Sequence, residues 1–287
     1  MNKENDRFKI KYGPWALVAG GSEGIGGAFS SEIARNGINL VLIARRRDLL
    51  ERKTLELKTQ FGIQVNTILM DLASTTMLAE ISRQTEGLEI GLLVYNAALA
   101  RVGAFFNSGL EDELACIDVN CKGPLQLIHQ FGKKMIRRQR GGIILMSSMA
   151  GLRGAPFYSH YAATKAYNIV LGESLWYEFR PHHVDVLTCI AGMTSSPQLM
   201  KTVIEENKTK GTSLMTPESV AQEALSALGE MPSVIPGEEN RAGQEFMTGI
   251  PRKDAVVIMA KHAVKNFMDG KIPPQRVDQE KIWPESK

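Results

Sequence analysis

The sequence predicts an α/β chain: a doubly wound parallel sheet of about seven strands with helices on both faces. Three observations predict it. Short, near-continuous apolar runs recur along the chain, as strands buried on both faces require. Amphipathic segments of helical length separate them, which is the alternation of a parallel sheet built by crossovers. The first apolar run ends in a glycine-rich turn, Gly20-Gly-Ser-Glu-Gly24-Ile-Gly26, that opens a helix.

Trp15 to Ala19 is the first strand, followed by a helix from Gly24 to about Asn36 that Gly37 terminates. Residues 38–44 form the second strand, and a charged helix runs from about Asp48 to Gln60. Residues 64–70 form the third strand, ending at Asp71, with a helix from about Thr75 to Thr85 behind it. The fourth strand spans 90–95, and a long helix covers roughly 111–138. A fifth strand, 142–146, leads to a helix that reaches about Phe179, and residues 184–190 are the sixth strand. Thr216 caps a helix whose first position is Pro217. Residues 234–237 read as a short edge strand, and a last apolar helix runs from about 254 to 268. Right-handed crossovers turn this order into a Rossmann-type sheet with ligands at the strand C-terminal ends.

With 287 residues and 44% hydrophobic content, the chain is large enough for one substantial core. No repeat or linker divides it, so residues 1–287 are expected to be one domain. Within it, 10–192 form the dinucleotide-binding and catalytic core, and 193–287 supply a substrate loop, a helix and a C-terminal extension. The net charge of +3 does not argue for nucleic acid. The basic run from Lys133 to Arg140 falls where a helix ends, and cations there complement the helix dipole. Cys116, Cys121 and Cys189 form no metal-type pair and suit free thiols in a reducing compartment, so no metal is expected. Their five-residue spacing puts Cys116 and Cys121 on different helix faces. The polar N-terminus has no signal-peptide character, and no apolar run approaches the ~18 residues of a membrane span. A soluble, cytoplasmic protein is expected.

Function concentrates in two places. Glycines in the first turn permit positive φ and a close approach of backbone to a pyrophosphate. The helix N-terminus beyond them offers free N–H groups and partial positive charge to phosphate. The second place is Tyr161-Ala-Ala-Thr-Lys165, with Ser148 thirteen residues upstream at the end of a strand. A tyrosine and a lysine four apart share one helix face, where the ammonium is expected to lower the phenol's pKa. No GxSxG elbow is present, which disfavours a hydrolytic serine. His160 points to another helix face and reads as packing or rim.

The glycine spacing GxxxGxG, Asp71 after the third strand, Asn96-Ala97 after the fourth, Asn120, Ser148, Tyr161 and Lys165 together resemble the short-chain dehydrogenase/reductase family, over roughly residues 13–237. The resemblance implies a nicotinamide cofactor and carbonyl–alcohol chemistry. Tyr161 is then the proton donor, and Lys165 tunes it and holds the nicotinamide ribose. Ser148 binds the carbonyl, and Asn120 feeds a proton relay through water behind the lysine. It also places Gly20, Ser22, Glu23, Gly24, Ile25, Gly26, Asp71, Leu72, Asn96, Ala97, Gly192 and Thr194 around the dinucleotide, with Asp71 on the adenine amino group. The second strand ends in Ala44-Arg45-Arg46-Arg47 with no carboxylate before Asp48. Arginine there matches a 2′-phosphate, so NADP(H) is expected, contacted first by Arg45 and second by Arg46. Arg47 reads as a solvated helix start. Glu23 is a departure, since many NADP-dependent relatives carry a basic residue in this turn. Tyr95-Asn96-Ala97-Ala98 and Ala191-Gly192 also depart from the family's Asn-Asn-Ala-Gly and Pro-Gly.

Residues 152–158, 193–215 and the last helix should wall a substrate pocket. Tyr158, Met193 and Leu199 join Ser148 and Tyr161 there, and Met200, Val203 and Met215 add flexible apolar surface. Lys201, Lys208 and Lys210 suit solvated helix faces better than an acidic carrier. The stretches Tyr12-Gly-Pro-Trp-Ala and Thr216-Pro-Glu-Ser-Val-Ala resemble the branch of hydroxysteroid dehydrogenases and long-chain 3-oxoacyl-CoA reductases. The expected activity is an NADPH-dependent reductase, reversibly a dehydrogenase, of a hydrophobic ketone or 3-oxoacyl substrate, free or thioester-linked. The resemblance also implies a homodimer or homotetramer through helices 111–138 and 155–179. The alternative is a non-catalytic NADP(H)-binding redox sensor acting through a protein partner; the filled catalytic positions argue against it.

Overall fold

The computed structural model describes residues 3–203 and 214–276. Seven strands form one parallel sheet in the order β3-β2-β1-β4-β5-β6-β7. They are β1 (Trp15–Ala19), β2 (Asn39–Ala44), β3 (Val65–Leu69), β4 (Ile90–Tyr95), β5 (Gly141–Ser148), β6 (Val184–Ala191) and the edge strand β7 (Ser233–Val234). Alternate residues of each strand feed two cores, as the pleat dictates. Ala16, Val18, Leu40 and Leu42 face one layer, while Leu17, Ala19, Val41 and Ile43 face the other.

The first layer holds α1 (Lys3–Tyr12), α2 (Gly24–Arg35), α3 (Arg47–Phe61) and, after α4 to α9 below, α10 (Pro217–Ala227). Phe29 and Ile33 of α2, Leu50 and Leu57 of α3, and Val220 and Ala224 of α10 fill it. The second layer holds α4 (Met77–Gln84) and a helical rod built from α5 (Leu110–Ile117), α6 (Gly123–Leu127) and α7 (Lys133–Arg137), with α8 (Ser159–Phe179) beside it. Ile81, Leu127, Phe131 and Met135 pack there against β1, β4 and β5.

The rod corresponds to the single helix expected over 111–138, with two π-turns, Asp118–Lys122 and Ile128–Gly132. At the first turn the Gly123 N–H reaches back five residues to the Asp118 carbonyl. This leaves the Val119 carbonyl free, and the Tyr95 hydroxyl donates to it at 2.6 Å. A Cβ at Gly123 would lie 2.1 Å from that hydroxyl, so tyrosine and glycine require each other. Pro124 has no N–H to give the Asn120 carbonyl, and the Asn168 amide donates to it instead at 3.0 Å. Cys116 is buried and Cys121 half-buried, and both act electrostatically on Lys165.

The C-terminal part holds α9 (Pro197–Thr202), α11 (Glu238–Thr248) and α12 (Arg252–Phe267). Thr216 caps α10 as expected, its hydroxyl accepting from the Ser219 N–H at 3.1 Å. Helices α1 and α11 were not expected from the pattern; α11 has no fully buried residue to give it a periodic signal. In the last helix, expected to be apolar, Val257 and Ile258 are exposed and Asn266 is buried. Among the described residues no helix is long and apolar enough to cross a membrane.

Candidate active site

The crevice opens where the sheet order reverses, between β1 and β4, at the strand C-terminal ends. On its β1 side lies the glycine turn. Gly20 adopts φ +78°, and a Cβ there would meet the Ala97 backbone at 3.0 Å. A Cβ on Gly26 would lie 2.0 Å from the Gly20 carbonyl and 2.6 Å from the Asn96 amide. Asn96 donates to the Gly20 carbonyl at 3.1 Å, tying the end of β4 to the turn. Ser22, Glu23, Gly24 and Ile25 complete this cradle at the start of α2.

Around it, Asp71 is exposed, and one of its oxygens accepts from the Ala73 N–H at 3.0 Å. The Leu72 side chain is buried in the second core. Arg45 is exposed and makes no ion pair among the described residues. Arg46 is paired with Glu23 across the turn, and Arg47 lies 3.6 Å from Glu51, the solvated role expected for it. Thr194 is buried, its hydroxyl donating to the Gly192 carbonyl at 3.1 Å. Gly192 is explained by packing: a Cβ there would lie 2.3 Å from the Asn240 side chain. Asn240 was missed by sequence reasoning because it belongs to the unexpected α11.

On the β5 side the structure brings Ser148, Tyr161, Lys165 and Asn120 together. Ser148 ends β5, and its Oγ accepts from the Ala150 N–H at 3.2 Å. Ser148 lies beside the Tyr161 hydroxyl, close enough to favour its ionised form. Lys165 Nζ sits 5.6 Å from the Tyr161 ring centre and donates to the Met146 carbonyl at 2.8 Å. The Ser147 hydroxyl donates to the Lys165 carbonyl at 2.8 Å, pinning α8 to β5. Gly151 permits this approach, since a Cβ would lie 2.7 Å from the Lys165 and Ala166 backbone.

Asn120 is buried and held at both ends of its amide. Its Oδ1 accepts from the Leu99 N–H at 2.8 Å, and its Nδ2 donates to the Leu99 carbonyl at 2.8 Å and to Thr164 Oγ1 at 2.9 Å. Thr164 passes the chain on to the Tyr161 carbonyl at 2.7 Å. Thr164 and Asn168 were not expected at the site. The signal for Asn168 was Pro124, four residues after Asn120, which strips a helix donor from a buried carbonyl.

The electrostatics correct one expectation. Burial pushes the Tyr161 hydroxyl above its ordinary value; Ser148 only partly offsets this, and Cys116 adds to it. Burial likewise lowers Lys165 to about 8, against a smaller upward pull from the three cysteines. The phenol is therefore shifted upward, opposite to the lowering expected from Lys165, with burial as the largest cause. His160 Nδ1 lies 3.7 Å from Glu113 Oε2, a packing position.

Residues 152–158, expected beside the substrate, pack against the last helix: a Cβ on Gly154 would lie 3.2 Å from Val256. Tyr158, Tyr161 and Met259 each pack against the buried Ala150, Ala155 and Ala162, and the Tyr158 and Phe267 rings meet edge-on at 6.2 Å. Met193 and Leu199 are half-buried at the loop after β6, and Lys201 is exposed; Lys208 and Lys210 lie outside the described residues. A strap closes the rim. Asn107 donates to the Pro274 carbonyl at 3.2 Å and accepts from the Arg276 N–H at 3.0 Å. No group of residues with metal-binding geometry occurs among the described residues.

Comparison with known proteins agrees with this geometry. The family described as short chain dehydrogenase matches residues 14–208. The 7beta-hydroxysteroid dehydrogenase of Mediterraneibacter gnavus is 32% identical over 239 residues, covering 82% of this chain and 90% of that protein. A very-long-chain 3-oxoacyl-CoA reductase-like protein of Arabidopsis thaliana is 32% identical over 225 residues, covering 76% of this chain and 71% of its own length. Among solved structures, one from a study of 7beta-hydroxysteroid dehydrogenase stereoselectivity superposes with TM-score 0.82 at 28% identity, covering 88% of this chain and 98% of that one. A short-chain dehydrogenase from Sphingobium yanoikuyae in complex with NADPH superposes with TM-score 0.71 at 25% identity, covering 83% and 96%. The chain belongs to the short-chain dehydrogenase family of oxidoreductases.

Proposed function

We propose that the protein is an NADP(H)-dependent reductase, reversibly a dehydrogenase, acting on a hydrophobic ketone or 3-oxoacyl substrate. The observation that carries this reading is the gathering of Ser148, Tyr161 and Lys165 at the end of β5, with Lys165 Nζ 5.6 Å from the Tyr161 ring centre, beside a small apolar cluster. The cradle fits a dinucleotide: Gly20 and Gly26 let the turn fold tightly against Asn96 and Ala97, where a Cβ would clash, and α2 presents its N-terminus there. Arg45 and Arg46 suit a 2′-phosphate, and Asp71 keeps one oxygen for an adenine amino group. When bound, the cofactor supplies the hydride that reaches the carbonyl carbon.

The chain's own residues then manage the oxygen. Burial keeps the Tyr161 hydroxyl protonated at neutral pH, which is the state that can donate. Ser148 and Tyr161 together hold the carbonyl oxygen, and Tyr161 gives it a proton as charge develops. Ser148 and the Lys165 ammonium stabilise the phenolate left behind. Asn120 acts by holding the Leu99 loop and the Tyr161 turn in register, through Thr164. The two hydroxysteroid dehydrogenase comparisons favour a bulky polycyclic ketone; the 3-oxoacyl-CoA reductase-like relative keeps a long acyl chain in view. A homo-oligomer through the rod and α8 is part of this reading, supported by exposed Leu125, Val170 and Tyr177 on those helices.

The test is NADPH oxidation followed by absorbance against steroid ketones, aromatic ketones and 3-oxoacyl thioesters, with NADH and Tyr161→Phe as controls. Turnover that requires NADPH and Tyr161 is expected. Turnover retained by Tyr161→Phe would sink the mechanism, and equal use of NADH would sink the cofactor assignment.

A further inference from the structure

We propose that Glu23 is a specificity-determining residue, a built-in competitor for the cofactor's 2′-phosphate that holds Arg46 and weakens phosphate-bearing dinucleotides relative to those without it. The proposal rests on the NADP(H) reading above and deepens it.

Glu23 occupies the N-cap position of α2, where a carboxylate would ordinarily accept from the first free N–H groups. It makes no such bond; its backbone is extended at φ −158° and its side chain turns to Arg46, the N-cap residue of α3. The pair joins the two helix starts that flank the end of β2, the place where a dinucleotide's adenosine ribose is read. Its side chains are 28% and 47% exposed, so a ligand can reach both.

Three arginines stand in a row here, and the structure gives them three different states. Arg47 lies toward Glu51 on its own helix. Arg46 is held by Glu23. Arg45 is exposed, with no ion pair among the described residues. Glu23 therefore cuts the charge offered by Arg45 and Arg46 from two positive units to one. A phosphate monoester carries about −1.5 to −2 charges at neutral pH. It must displace the carboxylate from Arg46 and also tolerate it nearby, and both costs have the same sign. A free 2′-hydroxyl bears no such charge and finds in a carboxylate an acceptor. The sum is a site that takes the phosphate through Arg45 while Glu23 narrows the margin over the unphosphorylated cofactor.

Equilibrium binding of NADPH and of NADH to the whole protein, by fluorescence titration at low and high salt, tests this. Wild type, Glu23→Gln, Arg46→Gln and the double variant are compared, with a thermal melt on each. Glu23→Ser, which keeps a good N-cap, serves if the amide disturbs the turn. Glu23→Gln should tighten NADPH about fivefold, the change expected of one partly exposed ion pair, and leave NADH unchanged or slightly weaker. The gain should shrink with added salt and in the Arg46→Gln background. An unchanged ratio of the two affinities overturns the proposal, and so does weaker NADPH binding, which would make Glu23 an aid that orients Arg46. A wild type that prefers NADH and ignores Arg45→Gln would instead overturn the NADP(H) reading, while the shift in ratio caused by Glu23→Gln still decides the role of Glu23.

Discussion

The two sides of the crevice are built from different parts of the chain. Beside β1 and β2 the site is backbone: glycines at 20 and 26 that leave no room for a Cβ, a helix start, and exposed charges at the rim. Beside β4 and β5 it is side chain: Asn120, Ser148, Tyr161 and Lys165, with Asn120 and Lys165 tied to buried backbone and side-chain groups. The difference teaches that the first side fails when an atom is added and the second when a functional group is removed.

The largest expected effect is on the side-chain side. Tyr161→Phe should lower kcat for ketone reduction by about 10²–10⁴-fold, the usual worth of a general acid. Dinucleotide affinity, read by fluorescence titration, should stay near wild type. A matching loss of affinity would blur the contrast between the two sides. Gly26→Ala is the mirror experiment. Its methyl would lie 2.0 Å from the Gly20 carbonyl, inside a turn that Asn96 also holds. We expect about 3 kcal/mol of destabilisation in urea unfolding, with cofactor binding lost in whatever remains folded. A stable Gly26→Ala protein with normal affinity would contradict the cradle.

Asn120→Ala tests whether the side-chain site is a linked network. It leaves the Leu99 N–H and carbonyl without their partner and should cost about 2 kcal/mol in unfolding free energy. Turnover should fall while the KM for cofactor holds. A variant that loses stability but keeps kcat would reduce Asn120 to a structural strut.

The smallest effect is a pH dependence. Burial lowers Lys165 to about 8, so it is an ammonium below that pH and an amine above it. Tyr161 is shifted upward and remains protonated through the same range. The kcat/KM for the cofactor, which reports the free enzyme, should therefore decline as pH rises through about 8. A profile flat to pH 9.5 would show that the ammonium is not required.

Most strands and the long helices were legible because their signal is local. Apolar runs from Trp15, Ile90 and Val184 needed only continuity, and Thr216-Pro217 announced a helix start. Helices α1 and α11 escaped because each depends on a few distant contacts: Tyr12 bonds Asp185 at 2.6 Å, and Asn240 packs on Gly192. The positions of Ser148, Tyr161 and Lys165 could be read from order and spacing, but their pKa directions could not. Proximity of Lys165 argued for a lowered phenol; burial, which spacing does not encode, raises it. The π-turns of the rod escaped for a related reason, since the first is fixed by Gly123 packing on Tyr95, far away in the chain.

The sequence by itself determined the order of elements, the glycine cradle, the three arginines and the tyrosine–lysine pair, because each rests on neighbours within a few residues. The tertiary structure alone decided that Glu23 meets Arg46, that Asn168 answers the carbonyl Pro124 leaves bare, and that Phe267 meets the Tyr158 ring. Those contacts join segments far apart in the chain, where pairing depends on how strands and helices stack in space and on how much water the stacking excludes.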